Sequence, residues 1–142
     1  MPLSFTDLYV RVQQFYAGQV RSLDGMLAAE FAATFAEGGV FDHAPGTTPL
    51  RGRAAITAEM RAYQERRYAA DPCQRRHWFS MLQIFPDQDG TVRTEYYAVV
   101  MLTRPGVAEP VVAPSCLVRD VLEVDGDGLL VRERVVRPDY AL

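Results

Sequence analysis

Four long runs in the second half of the chain have the residue pattern of strands and decide the fold: QRRHWFSMLQIF (74–85), TVRTEYYAVVMLT (91–103), PVVAPSCLVRDVLEV (110–124) and LLVRERVV (129–136). They are rich in β-branched and aromatic residues, which favour strands over helices. Short separators rich in turn residues lie between them: PDQDG (86–90), RPG (104–106) and DGDG (125–128). The pattern predicts sequential hairpins and therefore an antiparallel sheet.

Three helices are predicted ahead of this sheet: Ser4–Ser22, a shorter helix that carries Leu27 and Phe31 and ends near Gly38-Gly39, and Arg53–Tyr68. Their apolar residues recur every three or four positions, as on the buried face of a helix. The first helix begins at a capping pair, Ser4 and Asp7. A short strand is predicted at Val40-Phe41, between the second and third helices.

Helices followed by strands favour an α+β fold over one built from βαβ units. A meander of this length twists and curls, so we expect the helices to cover its concave face. The result is a cone with an apolar pocket that opens at one end, and pockets of this kind bind small molecules. No linker or change in composition divides residues 1–142, so one domain is expected.

The composition argues against several classes of function. The net charge is −3 and charged residues make up 23% of the chain, which provides no basic stripe for nucleic acid. Cys73 and Cys116 are not spaced as metal ligands, so no metal site is expected, and two scattered thiols suit a reducing cytoplasm. Residues 1–7 do not resemble a signal peptide, and no stretch approaches the roughly 20 apolar residues that span a membrane.

Three stretches resemble a known family in their residues, order and spacing: Phe15–Phe41, Leu50–Ile56 and Arg76–Trp78. They are similar to the Tyr…Leu-Asp…Phe-x-x-Asp/Gly-x-Val-Phe opening, the Gly-Arg-x-x-Ile helix start and the Arg-His-aromatic strand start of the SnoaL-like branch of the nuclear transport factor 2-like superfamily. The resemblance implies a curved antiparallel sheet closed by three N-terminal helices. Within the branch, the chain looks most like small accessory and cyclase-type proteins of bacterial aromatic polyketide clusters.

This superfamily includes cyclases, dehydratases, isomerases and epoxide hydrolases, but also β subunits of ring-hydroxylating dioxygenases and non-catalytic proteins, so the fold does not select a reaction. We expect a cofactor-independent acid/base enzyme, a cyclase, dehydratase or isomerase, that acts on a polyketide-like or aromatic small molecule. The alternatives are a non-catalytic binding or chaperone protein of a biosynthetic pathway and an accessory subunit of a ring hydroxylase. The resemblance also implies a homodimer formed through the convex face of the sheet.

Three residues are candidates for catalysis: Tyr16, Asp24 and His77. The resemblance places His77 on a strand that faces the cavity, where dehydratases of the branch use a His with an Asp and a Tyr from the first helical region. An imidazole exchanges protons near neutral pH, a carboxylate would fix its tautomer, and a phenol would donate a hydrogen bond to an enolate oxygen. Each residue also has a purely structural alternative. Tyr16 could be a packing residue, Asp24 a helix N-cap, and His77 a histidine at the edge of the core.

Five apolar residues are predicted to bind the substrate: Phe15, Trp78, Phe79, Met81 and Tyr97. Alternation along a strand places Phe79 and Met81 on the same face as His77, which is the inner face. Such a lining suits a flat aromatic ligand. The alternative for most of these residues is simple packing in the core.

The remaining polar residues are assigned no catalytic role. Asp120 and Arg134 are predicted to be cross-strand partners on the last two strands. Asp42-His43 is predicted to be a surface turn, with a second acid/base set at the pocket mouth as the alternative. The acidic DGDG turn lacks the spaced ligands of a calcium loop.

Overall fold

A computed structural model describes residues 3–141 of the chain, so the expectations that involve Met1, Pro2 and Leu142 lie outside the described residues. The helices are α1 Phe5–Asp24, α2 Ala28–Ala32 and α3 Arg53–Ala70, followed at the end of the chain by a 3₁₀ turn at Asp139–Ala141. The strands are β1 Phe35–Asp42, β2 Leu50–Arg51, β3 Gln74–Pro86, β4 Val92–Thr103, β5 Val111–Val112, β6 Cys116–Asp125 and β7 Gly128–Pro138. No helix in this part of the chain is long and apolar enough to cross a membrane.

Helix α1 begins at the predicted capping pair. Ser4 Oγ accepts a hydrogen bond from the backbone N–H of Asp7 at 3.1 Å and donates one to Asp7 Oδ2 at 2.7 Å. Its buried side chains recur every three or four residues: Leu8, Val12, Tyr16 and Gln19. The helix ends two residues later than predicted, and this extension carries Asp24 to the end of α1.

The strands form one sheet in the order β2-β1-β7-β6-β4-β3, and β5 pairs with β4. All neighbouring strands are antiparallel except β1 and β7, which run parallel. The prediction of a wholly antiparallel sheet is therefore wrong in this detail, whereas the α+β fold with N-terminal helices is confirmed. The parallel pair arises because β1 precedes α3 and joins the edge of the last strand, which no hairpin occupies.

The second helix and the first strand differ from their predicted bounds. Helix α2 ends at Ala32, and β1 already begins at Phe35, so the Gly38-Gly39 pair lies inside a strand. A Cβ on Gly39 would lie 2.9 Å from the carbonyl oxygen of Ala36. The register with β7 also shifts along this part of β1. A glycine therefore marks a bulge with close backbone packing here rather than a helix end.

Strand β3 contains an extra residue at Met81. Its φ is 55°, in the left-handed region, and the register with β4 shifts around it. Phe79 faces inward before the bulge, and Leu82 and Ile84 face inward after it. The prediction that Met81 faces inward is wrong: the side chain is 70% exposed, because the bulge reverses the alternation at this point.

The predicted third strand, 110–124, is also interrupted. Pro114 lies between β5 and β6, where its missing N–H removes a hydrogen-bond donor from the ladder. The hairpins β3–β4 and β6–β7 form as predicted. The core lies between the inner face of the sheet and the helices, and its largest fully buried apolar side chains are Val12, Phe31, Phe35, Ile56, Tyr96, Leu122 and Val131.

Candidate active site

A cavity of about 360 Å³ lies between the inner face of the sheet and the helical layer. Apolar side chains from both layers form most of its wall: Leu23, Phe31, Phe41, Met60, Phe79, Tyr96, Ala98, Val100, Leu102, Val118 and Val136. The charged or titratable groups of the wall are few: His43, Glu59, Arg75, His77 and Arg134, with the phenols of Tyr63 and Tyr96 and the thiol of Cys116. An apolar cavity with a few polar groups is the usual form of a small-molecule site.

Asp24 and His77 form a hydrogen-bonded pair at this cavity. Asp24 Oδ1 lies 2.6 Å from His77 Nδ1, and the backbone N–H of His77 lies 3.1 and 3.2 Å from the two carboxylate oxygens. The Asp24 side chain is 7% exposed and that of His77 is 19% exposed. The sequence therefore predicted correctly that these two residues meet, although 53 positions separate them.

The end of α1 holds Asp24 in place. Gly25 N–H donates to Arg21 O, Met26 N–H to Leu23 O and Leu27 N–H to Ser22 O, so the chain turns sharply after the helix. Helix α2 starts only later, with Leu27 at its N-cap position. The alternative that Asp24 is an N-cap is thus contradicted, because its carboxylate bonds to His77 instead of a helix terminus.

This geometry determines which His77 nitrogen is available for chemistry. The Asp24 carboxylate occupies Nδ1, and within residues 3–141 no group hydrogen-bonds to Nε2. A carboxylate on Nδ1 favours the tautomer with the proton there and stabilises the imidazolium when Nε2 takes a second proton. His77 also lines the cavity. The pair therefore has the arrangement of a general base with its orienting carboxylate.

Tyr16 is not in the position predicted for an oxyanion donor. Its side chain is buried and its hydroxyl donates to Asp120 Oδ2 at 2.7 Å and lies 2.6 Å from Thr94 Oγ1. It is absent from the cavity wall, which Tyr96 reaches instead. Tyr16 faces the core because it continues the buried stripe of α1. The prediction that its hydroxyl lies over the substrate is therefore corrected.

Asp120 is the centre of a buried polar network under the cavity. Its carboxylate accepts hydrogen bonds from Tyr16, from Tyr96 at 3.2 Å and from Arg134 at 2.9 Å, and Arg134 Nη2 also donates to Gln19 Oε1 at 2.6 Å. Asp120 and Arg134 face each other across β6 and β7, as predicted. Burial alone would lower the pKa of Arg134, but the charge of Asp120 raises it above its ordinary value. The guanidinium therefore stays positively charged.

The network gives a pH prediction for stability. Burial first, and then the Asp120 charge, raise the pKa of Tyr16 well above 10.0, and burial also raises that of Tyr96. Above about pH 10 the unfolded chain releases these protons while the folded chain keeps them, so the free energy of unfolding should fall as the pH rises further. Urea unfolding at increasing pH measures this fall, and Tyr16→Phe should make it shallower. An equal fall in the variant would contradict the assignment.

Arg134 is also part of the cavity wall. Within residues 3–141, Nη1 has no hydrogen-bond partner, yet it is not sealed from solvent, and Arg134 lines the cavity. The ion pair with Asp120 was predicted from the sequence, but this exposure to the cavity was not. Arg134 lies two residues before Val136 on β7, so alternation along the strand puts both side chains on the same face, and both line the cavity. This spacing was the signal available in the sequence.

Asp42 and His43 separate rather than form one surface turn. Asp42 Oδ2 accepts a hydrogen bond from Arg137 at 3.0 Å. The His43 ring instead lines the cavity and packs against Phe41, with ring centroids 5.6 Å apart, and its buried Nδ1 has no partner in the described residues. The surface-turn prediction is thus wrong for His43.

The five predicted substrate-binding residues fall into two groups. Phe79 lines the cavity and packs on Tyr96, with ring centroids 4.5 Å apart. The other four lie elsewhere. Phe15 packs at the edge of the core, and Trp78, Met81 and Tyr97 are 58%, 70% and 59% exposed on other surfaces. Tyr97 and Trp78 point outward because strand alternation gives the inward positions to their neighbours Tyr96 and Phe79.

A mostly antiparallel sheet covered by N-terminal helices, with an apolar cavity between the layers, places this chain among the nuclear transport factor 2-like α+β proteins. Residues 6–135 match the SnoaL-like domain family. The chain belongs to this family, which confirms the resemblance seen in the sequence. No curated protein sequence matches the chain.

Three solved structures are similar over nearly the whole chain. Aln2 from a Streptomyces species is 42% identical, with 98% of this chain and 96% of that chain covered and a TM-score of 0.88. ActVI-ORFA from Streptomyces coelicolor is 38% identical, with 94% and 98% covered and a TM-score of 0.88. A Catenulispora acidiphila protein, solved in complex with S-DNPA, is 44% identical, with 95% and 96% covered and a TM-score of 0.84.

Proposed function

We propose that this protein is a cofactor-independent acid/base enzyme that removes a proton next to the carbonyl of an aromatic small molecule. The observation that carries the proposal is the 2.6 Å contact between His77 Nδ1 and Asp24 in the wall of an apolar cavity. A base in such a site acts by its position and by the charges around it. Cyclisation, loss of water and isomerisation all begin with this proton transfer.

Three groups have a part in the proposed reaction: His77 and Arg134 of the cavity wall, and Asp24, the partner of His77. His77 Nε2 takes the proton from the carbon, and the Asp24 carboxylate stabilises the imidazolium that results. Negative charge then develops on the carbonyl oxygen of the substrate. The charged Arg134, which lines the cavity and whose Nη1 has no hydrogen-bond partner within residues 3–141, stabilises that oxygen in place of the predicted Tyr16. The imidazolium finally returns the proton to carbon or to a leaving hydroxyl.

The comparisons support an aromatic, polyketide-like substrate. The Catenulispora acidiphila relative, which is similar over 95% of this chain, was solved with the small molecule S-DNPA. The resemblance to accessory proteins of aromatic polyketide clusters points to the same class of molecule. Cys73 and Cys116 are free thiols, which agrees with action in the reducing cytoplasm.

Solvent deuterium exchange tests the proposal. β-Tetralone is a bicyclic aromatic ketone with exchangeable protons next to its carbonyl, and NMR follows their replacement in heavy water. The native chain should accelerate the exchange above the rate in buffer, and saturation should appear as the ketone concentration rises. Binding of β-tetralone without accelerated exchange would overturn the proposal in favour of a non-catalytic binding protein.

We also propose that the chain forms a homodimer through the outer face of its sheet. Four apolar side chains lie together there and form the outer patch: Trp78, Tyr97, Val99 and Leu117. Trp78 is paired with Val99, and Tyr97 with Leu117, across adjacent strands. Two of the four are more than half exposed in the single chain, and isologous pairing would cover them.

Replacing Trp78 by glutamate should therefore dissociate the dimer to monomers, because a charge would be buried in an apolar interface. Light scattering during size-exclusion chromatography measures the mass. Val10→Glu is the control, because Val10 is 61% exposed on α1, away from the outer patch. A native chain that elutes as a monomer would contradict the dimer.

A further inference from the structure

Arg75 occupies an unusual place in the site. It lies on β3 two residues before His77, on the same inward-facing side. It lines the apolar cavity and also a neighbouring groove of about 450 Å³ that Asp24 and Met26 border. Arg75 is therefore at the mouth of the cavity, between the catalytic pair and solvent.

Arg75 also carries an uncompensated charge. Within residues 3–141, no carboxylate lies within ion-pair distance of it, whereas Arg104 on the same groove is paired with Asp71 at 2.6 Å. The carboxylate of Glu59, on the cavity wall, is already 3.8 Å from Arg66. A partly buried cation without a partner is an unfavourable arrangement unless a ligand completes it.

The ring of Tyr63 holds this guanidinium in place. The Arg75 Cζ atom lies 4.7 Å from the Tyr63 ring centroid, and Arg67 stacks on the same ring at 5.6 Å. Stacking uses the flat face of a guanidinium and leaves the N–H groups at its edge free. These N–H groups can donate two parallel hydrogen bonds to a carboxylate.

We propose that Arg75 binds a carboxylate, so that the substrate is an aromatic acid whose ring system enters the cavity and whose anionic end stays at the mouth. This inference deepens the proposed function, because it assumes that the same cavity binds the substrate. The apolar wall accepts the rings, and Arg75 neutralises the acid where water is still close. Arg75 thereby fixes which end of the molecule faces His77.

Binding of two matched probes tests the assignment. β-Naphthylacetate and β-naphthylacetamide share one ring system and differ in charge, and isothermal calorimetry measures both affinities. The native chain should bind the carboxylate roughly tenfold or more tightly than the amide, and added salt should reduce this preference. Arg75→Gln should abolish the preference while it leaves the affinity for the amide unchanged, which also shows that the cavity is intact.

Arg76→Gln is the matched control, because Arg76 is the next residue on β3 and its side chain is exposed. Equal affinity of the native chain for both probes would overturn the inference. The inference would also fail if Arg76→Gln lost as much carboxylate binding as Arg75→Gln. Tighter binding of β-naphthyl phosphate than of β-naphthylacetate would contradict it as well. The binding measurement does not depend on catalysis, because the probes undergo no reaction. If β-tetralone exchange is not accelerated but the preference for the carboxylate probe is observed, the proposed function fails and the inference on Arg75 stands.

Discussion

Replacing His77 by alanine is expected to slow deuterium exchange into β-tetralone by roughly two to four orders of magnitude. The imidazole is the cavity group that combines a free nitrogen with a carboxylate partner at 2.6 Å. Proton NMR in heavy water measures the loss as a lower turnover number. His77→Gln is the companion variant, because it keeps a side chain of similar reach but cannot exchange a proton, and it should lose as much activity as alanine.

A substitution of Asp24 tests the other member of the Asp24–His77 pair. Asp24→Asn should slow exchange by roughly tenfold or more, since an amide cannot stabilise the imidazolium as a carboxylate does. Affinity for β-naphthylacetamide should change little in either His77 variant, because neither substitution removes an apolar side chain from the cavity wall. An unchanged turnover number in His77→Ala would remove His77 from the mechanism.

Replacing Asp120 by alanine should lower the free energy of unfolding by about 3–5 kcal/mol. The Asp120 and Arg134 side chains are 0% and 3% exposed, and within residues 3–141 the substitution leaves the buried guanidinium with Gln19 as its one hydrogen-bond acceptor. Urea unfolding followed by circular dichroism measures the change. This is the largest single effect on stability that we expect in the molecule.

An exposed ion pair on the same two strands is the control. Glu123 and Arg132 are 32% and 53% exposed, and Glu123→Ala should cost about 0–1 kcal/mol. The double variant Asp120→Leu with Arg134→Met should recover much of the stability lost in Asp120→Ala, because no charge is then left unpaired. Equal costs for Asp120→Ala and Glu123→Ala would show that the buried network contributes little.

The local features of the fold were predictable because their causes are local. The Ser4 cap, the long first helix and the turn-rich hairpins follow from residues a few positions apart. Alternation along one strand puts His77 and Phe79 on the same face, and the family resemblance identified that face as the inner one. The Asp24–His77 contact needed the family resemblance, since nothing in the residue pattern joins positions 53 apart.

The errors come from interactions that a sequence pattern does not contain. Met81 adopts a positive φ without being glycine, so no residue signal marks the bulge that reverses the face of β3. The family resemblance suggested a ligand as the partner of the Tyr16 hydroxyl, whereas the hydroxyl donates to Asp120, which lies 104 positions away. His43 follows the end of a parallel strand whose partner, β7, is at the other end of the chain. In each case the decisive contact is long-range.

The double attachment of Asp24 to His77 has an evolutionary consequence. One of its hydrogen bonds goes to the imidazole, while the backbone N–H of residue 77 also donates to the carboxylate, at 3.1 and 3.2 Å. Every residue except proline has that amide, so these hydrogen bonds between α1 and β3 do not depend on the imidazole ring. If the proposed chemistry holds, one substitution at position 77 would therefore be expected to abolish catalysis while the binding cavity keeps its shape, a short evolutionary path between an enzyme and a receptor.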